Sequence, residues 1–189
     1  MNEYSRKQLT AEKVFDVRFS EVDSMSIVWH GSYALYFEDA REEFGRKYNL
    51  EYLTIFENGF YAPLVELHFD YKKPLQYQES AKVVISYRPV DAAKLIFDYA
   101  IYSLKTNELV ATGYSVQVFL DRNHQLSFAT PEFFLDWKRK NGVLWFVASV
   151  ITSCLLWDSL PQKTGTLFVA GIPLWSGIPT ILTFPNRFA

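Results

Sequence analysis

Cysteine is almost missing from this chain: there is one, Cys154, in 189 residues. A lone cysteine excludes a disulfide framework within the chain and points to a reducing, cytoplasmic setting. Histidine is nearly as scarce. His30, His68 and His124 lie far apart, without the short ligand spacing of zinc sites, so no metal is expected. The chain has no G-x-S-x-G elbow, no phosphate-binding loop and no dinucleotide fingerprint, which removes the usual support for a serine hydrolase or a nucleotide-binding enzyme. A net charge of only -2 leaves no electrostatic reason to expect nucleic acid or an anionic membrane as partner. The opening stretch MNEYSRKQLTAEK has no apolar run after its charges, so no secretory signal is expected.

What the chain has in abundance is aromatic side chains, 16 Phe, 12 Tyr and 5 Trp, which suit sheet surfaces and apolar pockets. The length fits one domain with an appendage. Phe15, Val17 and Phe19 alternate with Asp16 and Arg18, the period of a strand with one buried face. From Ser32 the period changes. Tyr33, Tyr36, Phe37, Ala40, Phe44 and Tyr48 recur every three or four residues, which predicts an amphipathic helix with Ser32 as its N-cap. Glu42 with Arg46, and Glu43 with Lys47, have the spacing of favourable pairs along it.

After a loop around Asn58 and Gly59, four alternating runs follow: Val65 to Tyr71, Val83 to Tyr87, Leu95 to Ile101, and Val110, Thr112, Tyr114, Val116, Val118 and Leu120. Short turns between consecutive strands predict an antiparallel meander whose apolar face is covered by the long helix, an α+β fold. Pro131 opens a closing helix, and the domain is expected to span residues 1–140. Residues 141–189 form a separate apolar C-terminal extension, in which the charged residues after Gly142 are Asp158, Lys163 and Arg187. The apolar run 143–157 is shorter than the ~20 residues that span a bilayer, and four prolines follow it. A packing or interaction role is favoured for it over membrane contact.

Asp23 stands before a short apolar loop and the helix entrance. An Asp in such a loop is most often a turn former bonding nearby amides. The entrance, however, offers unpaired N–H groups and the positive end of the helix dipole, so a carbonyl between Asp23 and those amides would be polarised on one side and attacked from the other. His30 has three readings: a bridge between loop and helix, an acid or base, or a residue whose backbone N–H alone matters.

The stretch RFSEVDSMSIVWHGSYALYFEDAREEFGR, residues 18–46, resembles the hotdog-fold thioesterases of the 4-hydroxybenzoyl-CoA thioesterase type. In that family a strand leads to an Asp, an apolar loop, a His or Tyr, a further Tyr and a helix with Glu-x-Ala-Arg. Here these are Asp23, Ile27, Val28, Trp29, His30, Tyr33 and the run Glu38, Asp39, Ala40, Arg41. The resemblance implies a hotdog fold of about five antiparallel strands wrapped around one central helix. It also implies hydrolysis of acyl-CoA or acyl carrier protein thioesters, no cofactor, and a homodimer or tetramer whose sites are completed by a neighbouring subunit. Asp23 would be the nucleophile or general base, and the His30 amide the oxyanion donor. Trp29, Gly31, Tyr33 and Phe37 would line the substrate, and Lys72, Lys73, Arg88 and Lys94 would meet the CoA phosphates. Two positions depart from the family: Ser26 replaces a common Gly, and Phe19 a frequent Tyr. The alternatives are a non-catalytic acyl-binding or scaffold protein, and a hotdog hydratase or dehydratase. The latter is disfavoured because Asp23 and His30 are seven residues apart rather than about five.

Overall fold

A computed structural model describes residues 8–144 of the chain; of the extension expected over residues 141–189, all but the first four residues lie outside them. Strand β1 (Thr10–Asp16) is followed by a loop containing two single 3-10 turns, Phe19–Glu21 and His30–Ser32. Helix α1 (Tyr33–Tyr48) and short helix α2 (Tyr52–Glu57) come next, then β2 (Leu64–Tyr71), β3 (Ser80–Tyr87), β4 (Lys94–Ser103), β5 (Leu109–Val118) and α3 (Glu132–Asn141). The strands form one antiparallel sheet in the order β1-β3-β4-β5-β2.

The predicted four-strand meander is therefore only partly realised. Strands β3, β4 and β5 follow one another, but β2 lies outside β5 instead of beside β3. To curl around α1, the sheet places the two strands that flank the helices in sequence on opposite edges. Residues 72–79 make the crossing. The Val28 amide donates to the Leu75 carbonyl at 2.9 Å, and Leu75 is fully buried beneath the helix entrance.

Helix α1 fills the concave face with Tyr33, Tyr36, Phe37, Ala40 and Phe44, all buried as the periodicity predicts. Phe37 is the centre of this packing, stacked at 4.0 Å on Tyr99 and at 4.8 Å on Phe69. Its bulk overturns the expected orientation of β5. Residues directly opposite one another in antiparallel strands share a face. Ala111, Gly113, Ser115 and Gln117 lie opposite Ile101, Tyr99, Phe97 and Leu95, so they are the core-facing set. Thr112, Tyr114, Val116 and Val118 face the other way, while Val110, the extra residue at a bulge in the β4–β5 register, is buried with the core. Small residues are needed because the rings already occupy the space: a Cβ at Gly113 would sit 2.7 Å from the Phe37 ring and 2.2 Å from the His68 carbonyl oxygen.

Three local expectations are also corrected. Strand β1 pairs with β3 from Thr10 to Asp16 and leaves the sheet before Phe19, which is 78% exposed, because Val17 already turns the chain towards the loop. Ser32 makes no side-chain cap, since the preceding 3-10 turn winds it into helical geometry. Glu42 does pair with Arg46, but Glu43 reaches Arg46 at 3.6 Å and Lys13 at 3.8 Å, while Lys47 donates to the Thr10 carbonyl at 2.7 Å. Helix α2 was not anticipated at all. The result is nonetheless the hotdog arrangement, an antiparallel sheet wrapped around one long helix.

Helix α3 closes the core through Phe134 and Trp137, whose Nε1 donates to the Tyr48 carbonyl at 2.8 Å. The Tyr87 hydroxyl, buried against Phe97, Phe134 and Trp137, has no hydrogen-bond partner among the described residues. A buried, unsatisfied hydroxyl carries a desolvation penalty of ~1 kcal/mol or more. Tyr87→Phe is therefore expected to raise the midpoint of thermal unfolding; a fall of several degrees would show that the hydroxyl has a stabilising partner.

Candidate active site

The loop bearing Asp23 is a tight excursion closed on itself. The Asp23 amide donates to the Ile27 carbonyl at 2.9 Å, the Ser26 amide returns to the Asp23 carbonyl at 3.0 Å, and Val22 bridges to Val28. Asp23 Oδ1 accepts from the Met25 amide at 2.8 Å, so the ordinary turn-forming role is present. It consumes one carboxylate oxygen. Oδ2 accepts no hydrogen bond among the described residues, and the half-buried side chain borders a hollow of about 420 Å³. His30, Tyr33, Tyr71, Lys72 and Lys73 share that hollow.

Glu21 ties this loop to the helix, a role that sequence reasoning missed. Its buried Oε2 accepts from the Tyr36 hydroxyl at 2.8 Å and from the Arg18 amide at 2.9 Å, and its carbonyl accepts from the Trp29 amide at 2.8 Å. Burial and the adjoining carboxylate both push the Tyr36 pKa far up, so this phenol keeps its proton and remains the donor. The signal available was the helical spacing that put Tyr36 on the buried face; nothing in it named Glu21 as the acceptor.

The helical run begins at His30, and its first amide hydrogens have no carbonyl a turn earlier to bond. The Tyr71 hydroxyl donates to the His30 carbonyl at 3.0 Å, fastening the end of β2 to this entrance. Tyr33 stands edge-on to Tyr71, with ring centroids 5.0 Å apart, and burial pushes its pKa up to about 12. Both rings therefore meet a ligand as neutral phenols. Asp23 and His30 border this one hollow together with the two phenols.

The remaining site residues are distributed as follows. Trp29 is half-exposed, with its ring tilted against His30 at 4.9 Å. Gly31 is what admits that ring, because a Cβ there would fall 2.0 Å from it. Phe37 packs in the core and does not border this hollow. Lys72 and Lys73 stand at its rim, ion-paired with Asp70 and Glu108. Arg88 and Lys94 lie towards the opposite end of the sheet; Arg88 Nε donates to Asp98 at 2.9 Å, and Lys94 stands opposite Val118. Within one chain the structure does not bring these two to Asp23. Among the described residues, no group of three His, Cys, Asp or Glu is placed to hold a metal ion, and no helix is long and apolar enough to cross a membrane.

The model of the thioesterase-like superfamily matches residues 17–138, and the chain belongs to that family. A Bacillus subtilis protein, YneP, named as a candidate acyl-CoA thioesterase, is 28% identical over 127 residues, covering 67% of this chain and 91% of its own length. The fold is shared with the DHNA-CoA thioesterase of Staphylococcus aureus, with a TM-score of 0.63 at 22% identity over 81% of this chain and 97% of the other. It is shared too with the 1,4-dihydroxy-2-naphthoyl-CoA thioesterase of Synechocystis, with a TM-score of 0.60 at 18% identity over 69% of this chain and 95% of the other.

The loop also holds a strained residue. Ser26, which stands where the family commonly has Gly, adopts a left-handed φ of 61 all the same. Left-handed backbone costs a non-glycine residue ~1 kcal/mol. Ser26→Gly is expected to raise the unfolding midpoint by a few degrees without loss of fold; a lowered midpoint would mean that the serine side chain compensates the strain.

Proposed function

We propose that the protein hydrolyses acyl-CoA thioesters to a free acid and a thiol, with Asp23 as the reacting carboxylate and the His30 backbone amide as the oxyanion donor. The observation that carries this reading is the half-buried Asp23 carboxylate sharing one hollow with the start of the helical run. A thioester is already an activated acyl group, so a carboxylate and a preorganised amide suffice without a serine and histidine pair. Asp23 either attacks the carbonyl carbon, giving an anhydride that water opens, or takes a proton from the water that attacks. In both routes a C–O bond forms, the C–S bond breaks and the thiol leaves with a proton. Lys72 and Lys73 at the rim suit the phosphates of CoA, and a short acyl carrier arm would enter by the same path. The single cysteine agrees with a cytoplasmic setting.

The hollow lies open to solvent, and the completing surface is assigned to a second copy of the chain. Strand β2 is a sheet edge: it pairs with β5 on one side, and on the other it exposes Leu64 and Val65, the latter at 58%. Unpaired apolar edges are sites of strand addition. Antiparallel pairing of two β2 strands about a two-fold axis would set Tyr71 of one chain opposite Leu64 of its partner. Tyr71 borders the Asp23 hollow, whereas Leu64 borders a second cavity, of about 540 Å³, whose apolar wall includes Ile55, Ala62, Leu95 and Phe97. Each carboxylate would then face the partner's apolar cavity. The same pairing turns the end of the sheet carrying Arg88 and Lys94 towards the partner's hollow.

Thiol release from a range of acyl-CoAs tests the chemistry. Asp23→Asn is expected to lower turnover by roughly 10²–10⁴-fold while the protein stays folded; equal rates in the two proteins would remove Asp23 from the mechanism. Val65→Lys places a charge on the proposed seam and is expected to give a monomer of low activity in sedimentation velocity. A fully active monomer would end the shared-site reading.

A further inference from the structure

The entrance to the helical run carries a glycine that its backbone does not require. Gly31 is the middle residue of the 3-10 turn His30–Ser32, and its φ lies outside the left-handed region that favours glycine. What excludes a side chain there is a neighbour. A Cβ at Gly31 would fall 2.0 Å from Cζ3 and 2.2 Å from Cη2 of Trp29, so the six-membered ring of the indole stands where that side chain would be. The ring is carried by a pinned backbone: the Trp29 amide donates to the Glu21 carbonyl at 2.8 Å, and the Trp29 carbonyl accepts from the Ser32 amide at 2.9 Å.

Core packing does not account for this ring. Trp29 is 51% exposed, so much of the apolar area that an indole can bury stays in water. Substrate contact does not account for it either, since within one chain neither Trp29 nor Gly31 borders the Asp23 hollow. The ring's other neighbour is the His30 imidazole, tilted against it at 4.9 Å. His30 does border the hollow, and the Tyr71 hydroxyl holds its carbonyl at 3.0 Å. The peptide between His30 and Gly31 would otherwise be the loosest in the entrance, because glycine has more backbone freedom than any other residue. The Tyr71 hydroxyl and the indole together take up that freedom.

We propose that Trp29 is a positioning residue of the thioesterase site: its indole, seated on Gly31 and against His30, keeps the His30 amide aimed at the acyl carbonyl. The assignment rests on the thioesterase reading above and adds to it a residue that acts through His30 rather than on the substrate. An oxyanion donor works by being in place before charge develops, so a support that stiffens it changes the chemical step and not substrate binding. Gly31 is the other half of the device, because any side chain there must displace the ring. The two residues therefore act as one unit, and a double substitution reveals such coupling.

The test is the rate of thiol release, measured on the full-length protein with the acyl-CoA that it turns over fastest. Trp29→Ala is expected to lower kcat by roughly tenfold or more while KM stays within about threefold. Trp29→Phe, whose ring reaches the same space, is expected to keep kcat within about threefold of the unmodified protein. Gly31→Ala is expected to reproduce the loss with Trp29 in place, and to cost nothing further in the Trp29→Ala background. The proposal is overturned if Trp29→Ala keeps kcat within about twofold, if it raises KM at constant kcat, or if the two losses multiply in the double variant. Should Gly31→Ala fail to fold, the comparison of Trp29→Ala with Trp29→Phe decides alone. Failure of the thioesterase reading has a separate signature: the unmodified protein then releases no thiol from any acyl-CoA, and the positioning role falls with it.

Discussion

The stack of Phe37 on Tyr99 and Phe69 sets the depth at which the central helix lies in the sheet. A ring sandwiched between two strands cannot slide without losing contact on one side, and close-packed interiors resist such shifts. One turn before Phe37 comes Tyr33, and immediately before that the 3-10 turn that starts at His30. The core contact thereby fixes where the free amides of the helix entrance stand. Gly113 belongs to the same constraint, since any larger residue on β5 would push Phe37 away and carry the entrance with it.

Placing the amides is half of the geometry; the carboxylate has to be held against the same helix. Glu21 does this two residues before Asp23, with Tyr36 as its donor. The bond links the loop to the turn of α1 that also carries Phe37, so core packing and loop position share one rigid element. Because Tyr36 stays protonated and buried, the link does not loosen at ordinary pH. The Tyr71 bond to the His30 carbonyl adds the edge strand to that body.

The long helix, the four strands after it and the loop with Asp23 were legible because each depends on local signals: period, turn residues and the order of acid, loop and helix. Sheet order was not legible. The position of β2 outside β5 depends on how the sheet closes around α1, which no local pattern encodes. The orientation of β5 was misread for a related reason. Thr112, Tyr114, Val116 and Val118 mark the face turned away from the helix, while the core-facing residues opposite Tyr99 and Phe97 are small or polar and make room for Phe37. Hydrophobic alternation identifies the buried face only where side chains from one strand fill the core. Here the filling comes from the helix and the neighbouring strand. Gln117 was missed by the same logic, as a polar residue between Val116 and Val118 that reads as solvent-facing. Among the residues expected to line the substrate, Phe37 shows that a residue at helical spacing near a candidate site can belong wholly to the core.

On the proposed reading, the two recesses divide the requirements of thioester hydrolysis between opposite ends of β2. At the Tyr71 end stand an anionic oxygen, neutral phenols and two lysines, a surface suited to a polar carrier and a developing oxyanion. At the Leu64 end stand an apolar wall that includes Ile55, Leu95 and Phe97, the Gln117 amide, and a charged border of Glu38, Asp39, Arg41, Glu42 and Glu51. Strands rise about 3.4 Å per residue, so the two ends of β2 are separated by more than a thioester's reacting carbon can bridge within one chain. A two-fold axis through the middle of β2 removes that separation without any change in the fold, because it superimposes one end on the other. Under the proposed pairing the exposed apolar edge, the open carboxylate hollow and the second cavity cease to be three separate features and become parts of one seam.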